Sequence, residues 1–315
     1  MRVLGLDTSN YTTSAAVFDG EGGYNEGKLL EVRPGEKGLR QSEALFQHIK
    51  ALPERMGQLR EVGLLEGISA VAASTRPRAV EGSYMPCFLA GESLGRSISA
   101  LLNVPFFSVS HQQGHLAAAA WSAGRGELMN APFLAWHLSG GTTELLYVEP
   151  EGLNMRAERI GGTTDISAGQ LIDRTGVLLG LAFPAGRALD ELSRQSQSGE
   201  GFRVKVDQLE FSLSGVENQV KNRVEKGEAP AHVARFVLNT VADTVRRVTV
   251  EAQNRFPGLP LLCSGGVASN RRLRYELTEF CQGIFAPPQY STDNAMGVAI
   301  LAHRLMGGER RECDE

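Results

Sequence analysis

The feature that most restricts the fold of this chain is a strand–turn–strand unit that occurs twice. The first copy runs from Arg2 to Phe18 around the polar turn Asp7-Thr8-Ser9-Asn10. The second runs from Phe133 to Val148 around Ser139-Gly140-Gly141-Thr142-Thr143. Copies this far apart are too widely spaced for a solenoid and indicate two similar halves. We therefore predict domains at 1–128 and 129–315, with the C-terminal helix either in the second domain or packed back on the first.

Segments with strand patterns alternate with segments of helical periodicity, which predicts an α/β architecture. In the first helix, Leu45, Ile49 and Leu52 share one predicted face, and residues 20–38 are predicted to hold a further strand and a mobile loop. The predicted helices are Gln41–Met56, Gly91–Leu102, Ser110–Ala123, Ile166–Gly180, Arg187–Arg194, Ala229–Phe256 and Asn294–Met306, and further strands are predicted at Ile68–Ala73, Phe106–Val109 and Leu261–Cys263.

Composition excludes several classes of protein. The chain has 315 residues and a net charge of −4, so its overall charge does not require a nucleic-acid partner. Its four cysteines are scattered without a CxxC pair, which argues against a zinc ribbon or a disulfide framework and fits a reducing compartment. No stretch has the apolar length of a membrane span, and the N-terminus lacks the apolar region of a signal peptide. We predict a cytoplasmic protein with no membrane association.

Glycine or hydroxyl residues follow several predicted strands, in the two hairpin turns and again at Ser264-Gly265-Gly266. Backbone N–H groups in such turns can hold phosphate oxygens, because glycine lets the backbone approach a ligand closely. Any one of them can equally be a plain tight turn, and neither a GxxxxGK[ST] nor a GxGxxG motif is present. Their number favours a nucleotide held between two halves.

His111 and His115 are four residues apart at the start of a predicted helix, so their imidazoles lie on one face and can bind one metal ion. The alternative is a pair of ordinary surface histidines. A zincin protease would have glutamate directly after the first histidine, where this chain has Gln112, so that class is disfavoured. A third ligand is required, and an aspartate at a helix start is a suitable source.

Other polar side chains admit two interpretations each. Asp173 and Asp190 flank Gly186 and could hold ribose hydroxyls or a substrate amine, although such aspartates are usually solvated charges on a helix. Asn270 is expected to cap the helix that follows it, with a ligand contact as the alternative. A basic patch and solvated helix faces are the two interpretations of Lys221, Arg223, Arg246, Arg247, Arg271, Arg272 and Arg274.

Taken together, the motifs resemble those of the TsaD family, the threonylcarbamoyl-AMP:tRNA threonylcarbamoyltransferases once labelled O-sialoglycoprotein endopeptidases. The resemblance covers nearly the whole chain, in order. The matching segments are residues 5–9 (opening hairpin), 110–116 (HxxxHL), 138–142 (SGG loop), Asp173 with Gly186 and Asp190, 211–215 (FSFSG), 265–270 (GGVAAN) and 291–295 (CTDNA). The resemblance implies the actin/hexokinase-like (ASKHA) fold, a duplicated pair of α/β domains with a nucleotide cleft between them.

Carried over by position, the resemblance makes His111, His115 and Asp293 the ligands of one divalent metal ion. The implied reaction is attack by the N6 amine of adenosine 37 in tRNA on the threonylcarbamoyl carbonyl, with AMP leaving and no covalent enzyme intermediate. No catalytic residue beyond the metal site is expected, and TsaB-like and TsaE-like accessory proteins are the implied partners. The residues implied to bind the adenylate or ATP are Leu138, Ser139, Gly140, Gly141, Thr142, Asp173, Gly186, Asp190 and Asn270.

The chain departs from the family pattern where the acceptor is expected. Thr142 stands where the family usually has histidine, residues 10–12 replace an acidic CDE segment, and Glu217 replaces a lysine. Residues 161–170 also lose acidic side chains. The metal and nucleotide motifs are kept and the acceptor side is altered, as in a divergent member or paralogue.

Three hypotheses follow from this pattern. The leading one is a tRNA threonylcarbamoyltransferase. The first alternative keeps the metal and the carbamoyl-adenylate or ATP chemistry but uses another acceptor, as related O-carbamoyltransferases do. The second is a non-catalytic assembly subunit such as TsaB, against which the intact metal motif argues. Two imidazoles and a carboxylate suit iron and zinc alike, so the sequence leaves the metal open.

Overall fold

A computed structural model describes residues 1–9, 11–32 and 39–313, with side chains up to residue 307. The helices are α1 Gln41–Glu61, α2 Leu89–Leu102, α3 His111–Ser122, α4 Ala168–Leu178, α5 Gly186–Ser193, α6 Ser214–Glu225, α7 Pro230–Arg255, α8 Arg271–Cys281 and α9 Met296–Cys313. The strands are β1 Arg2–Asp7, β2 Thr12–Phe18, β3 Gly23–Leu29, β4 Ile68–Arg76, β5 Phe106–Ser110, β6 Phe133–Leu138, β7 Thr143–Glu151, β8 Asn154–Thr163, β9 Val206–Asp207, β10 Glu210–Phe211, β11 Leu261–Ser264 and β12 Ile284–Phe285.

The chain divides into two compact units. The first contains Met1–Ala131, Glu149–Ala157 and Asp293–Glu315, and the second contains Pro132–Val148 and Glu158–Thr292. The domain boundaries predicted from sequence leave the tip of the β7–β8 hairpin, Glu149–Ala157, in the second domain, whereas the structure groups it with the first unit. That tip carries no sequence signal of its own, because its place is set by distant side chains: Gln113 of α3 donates to the carbonyl of Met155 at 2.7 Å, and Arg304 of α9 donates to the carbonyl of Leu153 at 3.2 Å.

The first unit is built on a five-stranded sheet with the order β3-β2-β1-β4-β5. Strand β1 is antiparallel to β2 and parallel to β4, and β4 is parallel to β5. The carboxyl ends of β1, β4 and β5 therefore lie on one edge of the sheet. The strands of the first predicted hairpin and the strand at β3 are confirmed, whereas Asn10 of the predicted turn and residues 33–38 of the predicted loop lie outside the described residues.

The predicted inner face of α1 is wrong at one position. Ile49 is exposed, and the buried positions include Ala44, His48, Leu52 and Arg55. Two polar residues on the inner face conceal the apolar periodicity on which the prediction depended. The helix also continues to Glu61, five residues beyond the predicted end at Met56.

Helices α3 and α9 of the first unit approach each other at a pair of glycines. A Cβ on Gly297 would lie 1.8 Å from the carbonyl oxygen of Gly114, which no side chain tolerates. Helix α9 also lies against β1, where a Cβ on Gly5 would be 2.7 Å from the carbonyl oxygen of Ala295. Glycine at these positions lets the residues just before α9 reach the face of α3 that carries the histidines.

The second unit is built on a seven-stranded sheet with the order β12-β11-β6-β7-β8-β10-β9. As predicted, β6 and β7 form a hairpin, and β6 also pairs in parallel with β11, as β1 does with β4. Trp136 of β6 is fully buried and donates its indole N–H to the hydroxyl of Thr249 in α7 at 2.8 Å. Strands β8 to β10 and helix α6 were not predicted.

No helix in the described ranges is both long enough and apolar enough to cross a membrane.

Candidate functional site

The two histidines of α3 and Asp293 converge on one point of the first unit. The Nε2 atoms of His111 and His115 lie 3.5 and 3.1 Å from Oδ1 of Asp293. One ligand atom from each of the three residues falls within 4.8 Å of the others. Sequence reasoning alone placed the two histidines together, and only the family resemblance supplied Asp293, which is separated from them by most of the chain.

The amino end of α3 is fixed by a capping box. The hydroxyl of Ser110 accepts the N–H of Gln113 at 3.2 Å, and the side-chain oxygen of Gln113 accepts the N–H of Ser110 at 2.9 Å. The amide nitrogen of Gln113 also donates to the carbonyl of Met155 at 2.7 Å, which ties the helix to the β7–β8 tip. These bonds hold the backbone between the two histidines, and they confirm the predicted helix start.

Asp7 orients His111 from the other side. Its Oδ2 lies 2.7 Å from Nδ1 of His111, and its Oδ1 accepts the N–H of Ser9 and the hydroxyl of Ser74 at 2.8 and 2.9 Å. With a proton on Nδ1, the Nε2 atom is left to bind a metal ion. From its residue type and position alone, Asp7 is predicted only to lie in a turn that can bind phosphate. The signal that could have found it is a carboxylate directly after a buried strand parallel to the one before His111.

The electrostatics of this cluster favour a cation. Burial by itself would lower the pKa of His111, but the charges and hydrogen bonds of Asp7 and Asp293 outweigh it and raise that pKa to about 10. Burial likewise opposes ionisation of Asp293, yet hydrogen bonds from His111 and His115 hold its pKa well below the usual range. The two ionised carboxylates thus keep His111 in its doubly protonated, cationic form. A metal ion would take the place of the proton on Nε2, and the proton on Nδ1 would stay.

The donor set fits a divalent metal. Two imidazoles and one carboxylate, with a second carboxylate behind one imidazole, are typical of zinc and non-haem iron sites that leave positions open to substrate. In the part of the chain that the structure describes, the buried hydroxyls of Ser9 and Ser14 have no hydrogen-bond partner. Ser14 is in register with Asp7 across the hairpin, so polar groups beside the cluster are available to oxygen atoms of a ligand.

The Ser139–Thr142 loop of the second unit is open on the side of its glycines. The hydroxyl of Ser139 accepts the N–H of Thr142 at 3.1 Å, and the carbonyl of Gly140 accepts the hydroxyl of Ser167 at 2.6 Å. A Cβ on Gly140 or Gly141 would meet no atom within 4 Å. Packing therefore does not explain these two glycines, whereas room for a close ligand does.

Glycines outside the predicted set build the support of that loop. A Cβ on Gly169, in the first turn of α4, would lie 2.4 Å from the carbonyl oxygen of Ser139. Gly265 has a φ of 96°, and a Cβ there would lie 2.1 Å from the carbonyl oxygen of the buried Leu138. Gly265 is predicted from sequence as part of a turn, whereas no sequence pattern predicts the contact of Gly169 with the loop.

The remaining predicted nucleotide-binding residues form two bonded pairs joined by α5. Oδ1 of Asp173 accepts the N–H of Ala185, the residue before Gly186, at 2.8 Å. Asp190, one turn after Gly186, accepts the side-chain amide of Asn270 at 2.9 Å. Asn270 also caps α8 by accepting the N–H of Leu273 at 3.1 Å, as predicted, so the cap and the Asp190 contact coexist. Burial raises the pKa of both aspartates.

The candidate basic patch is largely neutralised by acidic neighbours. Glu276 pairs with Arg246 at 2.9 Å and with Arg272 at 2.5 Å. Glu217 holds both Arg174 and Lys221, at 2.7 and 2.9 Å. The other pairs are Arg246 and Arg247 with Asp243, and Arg223 with Glu200 and Glu228. Of the two interpretations of these residues, the contacts favour charged side chains on solvated helix faces over a basic patch that binds a polyanion.

The fold is that of the actin/hexokinase-like proteins. HypF from T.kodakarensis is 15% identical, with a TM-score of 0.61 over 98% of this chain and 48% of that one, so the present chain spans about half the length of HypF. The activator of 2-hydroxyisocaproyl-CoA dehydratase from Clostridium difficile, solved with bound ADPNP, is 14% identical, with a TM-score of 0.56 over 99% of this chain and 97% of that one. A ROK hexokinase from Thermus thermophilus is 18% identical, with a TM-score of 0.50 over 98% and 100%.

Sequence comparison with protein families gives a match over residues 41–300, to the family described as TsaD: tRNA N6-adenosine threonylcarbamoyltransferase. The matched range includes both histidines, Asp293 and all the residues of the second unit discussed above. It covers well over half of the chain. This protein therefore belongs to the TsaD family.

Proposed function

We propose that this protein transfers the threonylcarbamoyl group of threonylcarbamoyl-AMP to N6 of adenosine 37 in tRNA. The observation that carries the proposal is the convergence of His111, His115 and Asp293, with Asp7 behind His111, in a chain of the TsaD family. His111, His115 and Asp293 would hold a divalent iron or zinc ion there, which would supply positive charge to the oxygens of the donor. The family membership supports the choice of donor and acceptor.

In the proposed reaction the residues of the chain bind and orient the donor. Asp7 holds the His111 imidazole in one tautomer, and the N–H groups of Gly140 and Gly141 bind the adenylate phosphate. Asp173, Asp190 and Asn270 hold the adenosine. The N6 amine forms a bond to the carbonyl carbon and loses a proton to water, and the bond from that carbon to the phosphate oxygen breaks as AMP leaves. The solved dehydratase activator with bound ADPNP supports a nucleotide site in this fold.

A second candidate uses the same donor chemistry with a smaller hydroxyl or amine acceptor. The observation that favours it is the neutralisation of cationic side chains in the second unit, above all by Glu217, which pairs with Arg174 and Lys221. A tRNA-binding face depends on unpaired lysines and arginines. The first candidate would then depend on partner proteins, for which we propose TsaB-like and TsaE-like proteins in the cytoplasm.

The test is mass spectrometry of tRNA nucleosides from cells depleted of their own TsaD and supplied with this chain. Restored N6-threonylcarbamoyladenosine, lost again in His111→Ala, is the expected result. A matched control is His232→Ala, because His232 lies at the start of α7, in the second unit. Absence of the modified nucleoside, with folded and metal-loaded protein and the host partners present, would contradict tRNA as the acceptor and favour the second candidate.

A further inference from the structure

Arg76 lies at the same sheet edge as the candidate metal site. It ends β4, the strand between β1 and β5, and the three strands are parallel. Asp7 ends β1, and Ser110, the residue before His111, ends β5 in register with Arg76. Ser74, two residues before Arg76, donates its hydroxyl to Asp7 at 2.9 Å. The backbone of Arg76 is therefore placed between the strand ends that carry Asp7 and His111.

The segment after Arg76 is fastened to the amino end of α3. The N–H of Gln112 donates to the carbonyl of Pro77 at 3.0 Å, and the N–H of Arg78 donates to the hydroxyl of Ser83 at 3.0 Å. Arg76 is thus held by strand pairing before it and by the metal-binding helix after it. Its position relative to His111 is set by the fold.

Arg76 brings a positive charge to the sheet edge at which the Asp7 carboxylate lies. Its side chain is exposed, and within the described ranges it forms no ion pair. Other exposed arginines, such as Arg96 and Arg187, pair with a glutamate one turn away on their own helix. A guanidinium stays charged at any relevant pH and presents a planar set of donors that matches a carboxylate or a phosphate. Ligands of open α/β sheets bind at the carboxyl ends of the strands, where Arg76 lies.

We propose that Arg76 is a binding residue for an oxyanion of the donor, either its carboxylate or its phosphate. Asp7 and Asp293 suit a cation and repel such a group, so a donor with two anionic groups requires a positive side chain at this edge in addition to the metal ion. The inference rests on the proposed function in one respect, the use of an anionic acyl-adenylate as donor.

The test is isothermal titration of metal-loaded protein with two probes. N-carbamoyl-L-threonine carries the carboxylate without the phosphate, and AMP carries the phosphate without the carboxylate. Arg76→Ala is expected to weaken the binding of one probe by about tenfold, since it removes a charge-assisted hydrogen bond to the oxyanion. Loss confined to N-carbamoyl-L-threonine identifies the carboxylate, and loss confined to AMP identifies the phosphate. Arg76→Lys, which keeps the positive charge but lacks the planar set of guanidinium donors, should retain part of the affinity.

The control is Arg60→Ala, at the opposite edge of the same sheet. Arg60 is exposed in the last turn of α1, and the turn after that helix contacts Arg2 at the start of β1 through the carbonyl of Gly63. Arg60→Ala should bind both probes as the wild type does. Equal binding by wild type and Arg76→Ala, or no binding of either probe by the wild type, would overturn the inference. No acceptor is present in this assay, so a failure to modify tRNA leaves its result unchanged.

Discussion

One carboxylate decides how the candidate metal site is held. Asp7 contacts a ligand rather than occupying the ligand position itself, and it is in turn held by Ser9 and Ser74. Because Asp7 fixes which nitrogen of His111 carries the proton, its effect is on affinity for the metal ion.

Asp7→Asn should weaken metal binding by about 10 to 100-fold, as the loss of an acidic group behind a ligating histidine commonly does. The measurement is a competition titration with a chelator of known affinity, on protein whose fold has been checked by thermal unfolding. Asp19→Asn is the matched control, because Asp19 accepts backbone N–H groups in an exposed turn of the same unit. Unchanged metal affinity in Asp7→Asn would contradict the role given to this residue.

His48 should make stability depend on pH. It is fully buried with Nδ1 2.7 Å from the hydroxyl of Thr13, and burial lowers its pKa to about 4 despite the nearby charge of Asp7. Its pKa in the unfolded chain is about 6.5, so the folded state favours the neutral form. The resulting stability is present above pH 6.5 and is lost as the pH falls towards 4, by up to about 3 kcal/mol.

Urea unfolding between pH 7 and pH 4.5 checks this expectation. His48→Gln should be less stable at pH 7, because it replaces a buried ring, and its stability should fall less steeply over the same interval. Other acidic groups titrate in both proteins, so the difference between the two curves isolates His48. Parallel curves would show that the pKa of His48 is the same in the folded and unfolded states, and would contradict the prediction.

Two glycines at the Ser139–Thr142 loop, Gly140 in it and Gly169 beneath it, should affect different properties: ligand binding and stability of the fold. The methyl group of Gly140→Ala would contact no other atom of the protein, so the unfolding temperature of this variant should match that of the wild type. Its affinity for AMP should fall about tenfold or more, because the methyl group keeps a phosphate away from the backbone. Gly169→Ala forces a methyl group against the Ser139 carbonyl and should cost about 3 kcal/mol of stability. Thermal unfolding and nucleotide titration of both variants distinguish the two effects. Normal AMP affinity in folded Gly140→Ala would exclude this loop as the phosphate site.

Elements with local signals could be predicted, and elements held by distant contacts could not. The two hairpins and the start of α3 carry their signals within a few residues, in polar or glycine turn residues and in the Ser110 cap. Helix α6 has only Val216 and Val220 as buried residues. Its first turn is held by Asp165, whose carboxylate accepts the N–H groups of Leu213 and Ser214 from another segment.

The same limit applies to the candidate site. The spacing of His111 and His115 is a helical pattern and is visible in the sequence. Asp7 is 104 residues from His111, and their contact depends on the order of the strands in the sheet, which neither segment encodes by itself. In helix α1 the local pattern is misleading instead of absent. His48 and Arg55 are polar but buried, so the inner face of the helix cannot be recognised from apolar spacing alone.

At the scale of the whole molecule, charge pairing bears on the choice of acceptor. Glu217→Gln would release Arg174 and Lys221, so we expect it to raise affinity for tRNA and to steepen the salt dependence of log K by about one unit for each additional phosphate that the protein neutralises. Fluorescence anisotropy with labelled tRNA, over a range of salt concentrations around the physiological one, measures both quantities. Glu191→Gln, which releases only the exposed Arg187, is the control. An unaltered slope in Glu217→Gln would show that this cluster does not face RNA.

The order in which the chain is made has a consequence for the metal cluster. Chains emerge from the ribosome amino end first, and domains tend to fold as they emerge. The first unit nevertheless needs Asp293 and helix α9, which lie beyond the whole of the second unit. Its histidines are thus synthesised long before their carboxylate partner and before the helix that crosses α3 at Gly114. The unit that begins first is completed only after the second unit, and a nascent chain can bind metal with its full ligand set only once the whole second unit has been synthesised.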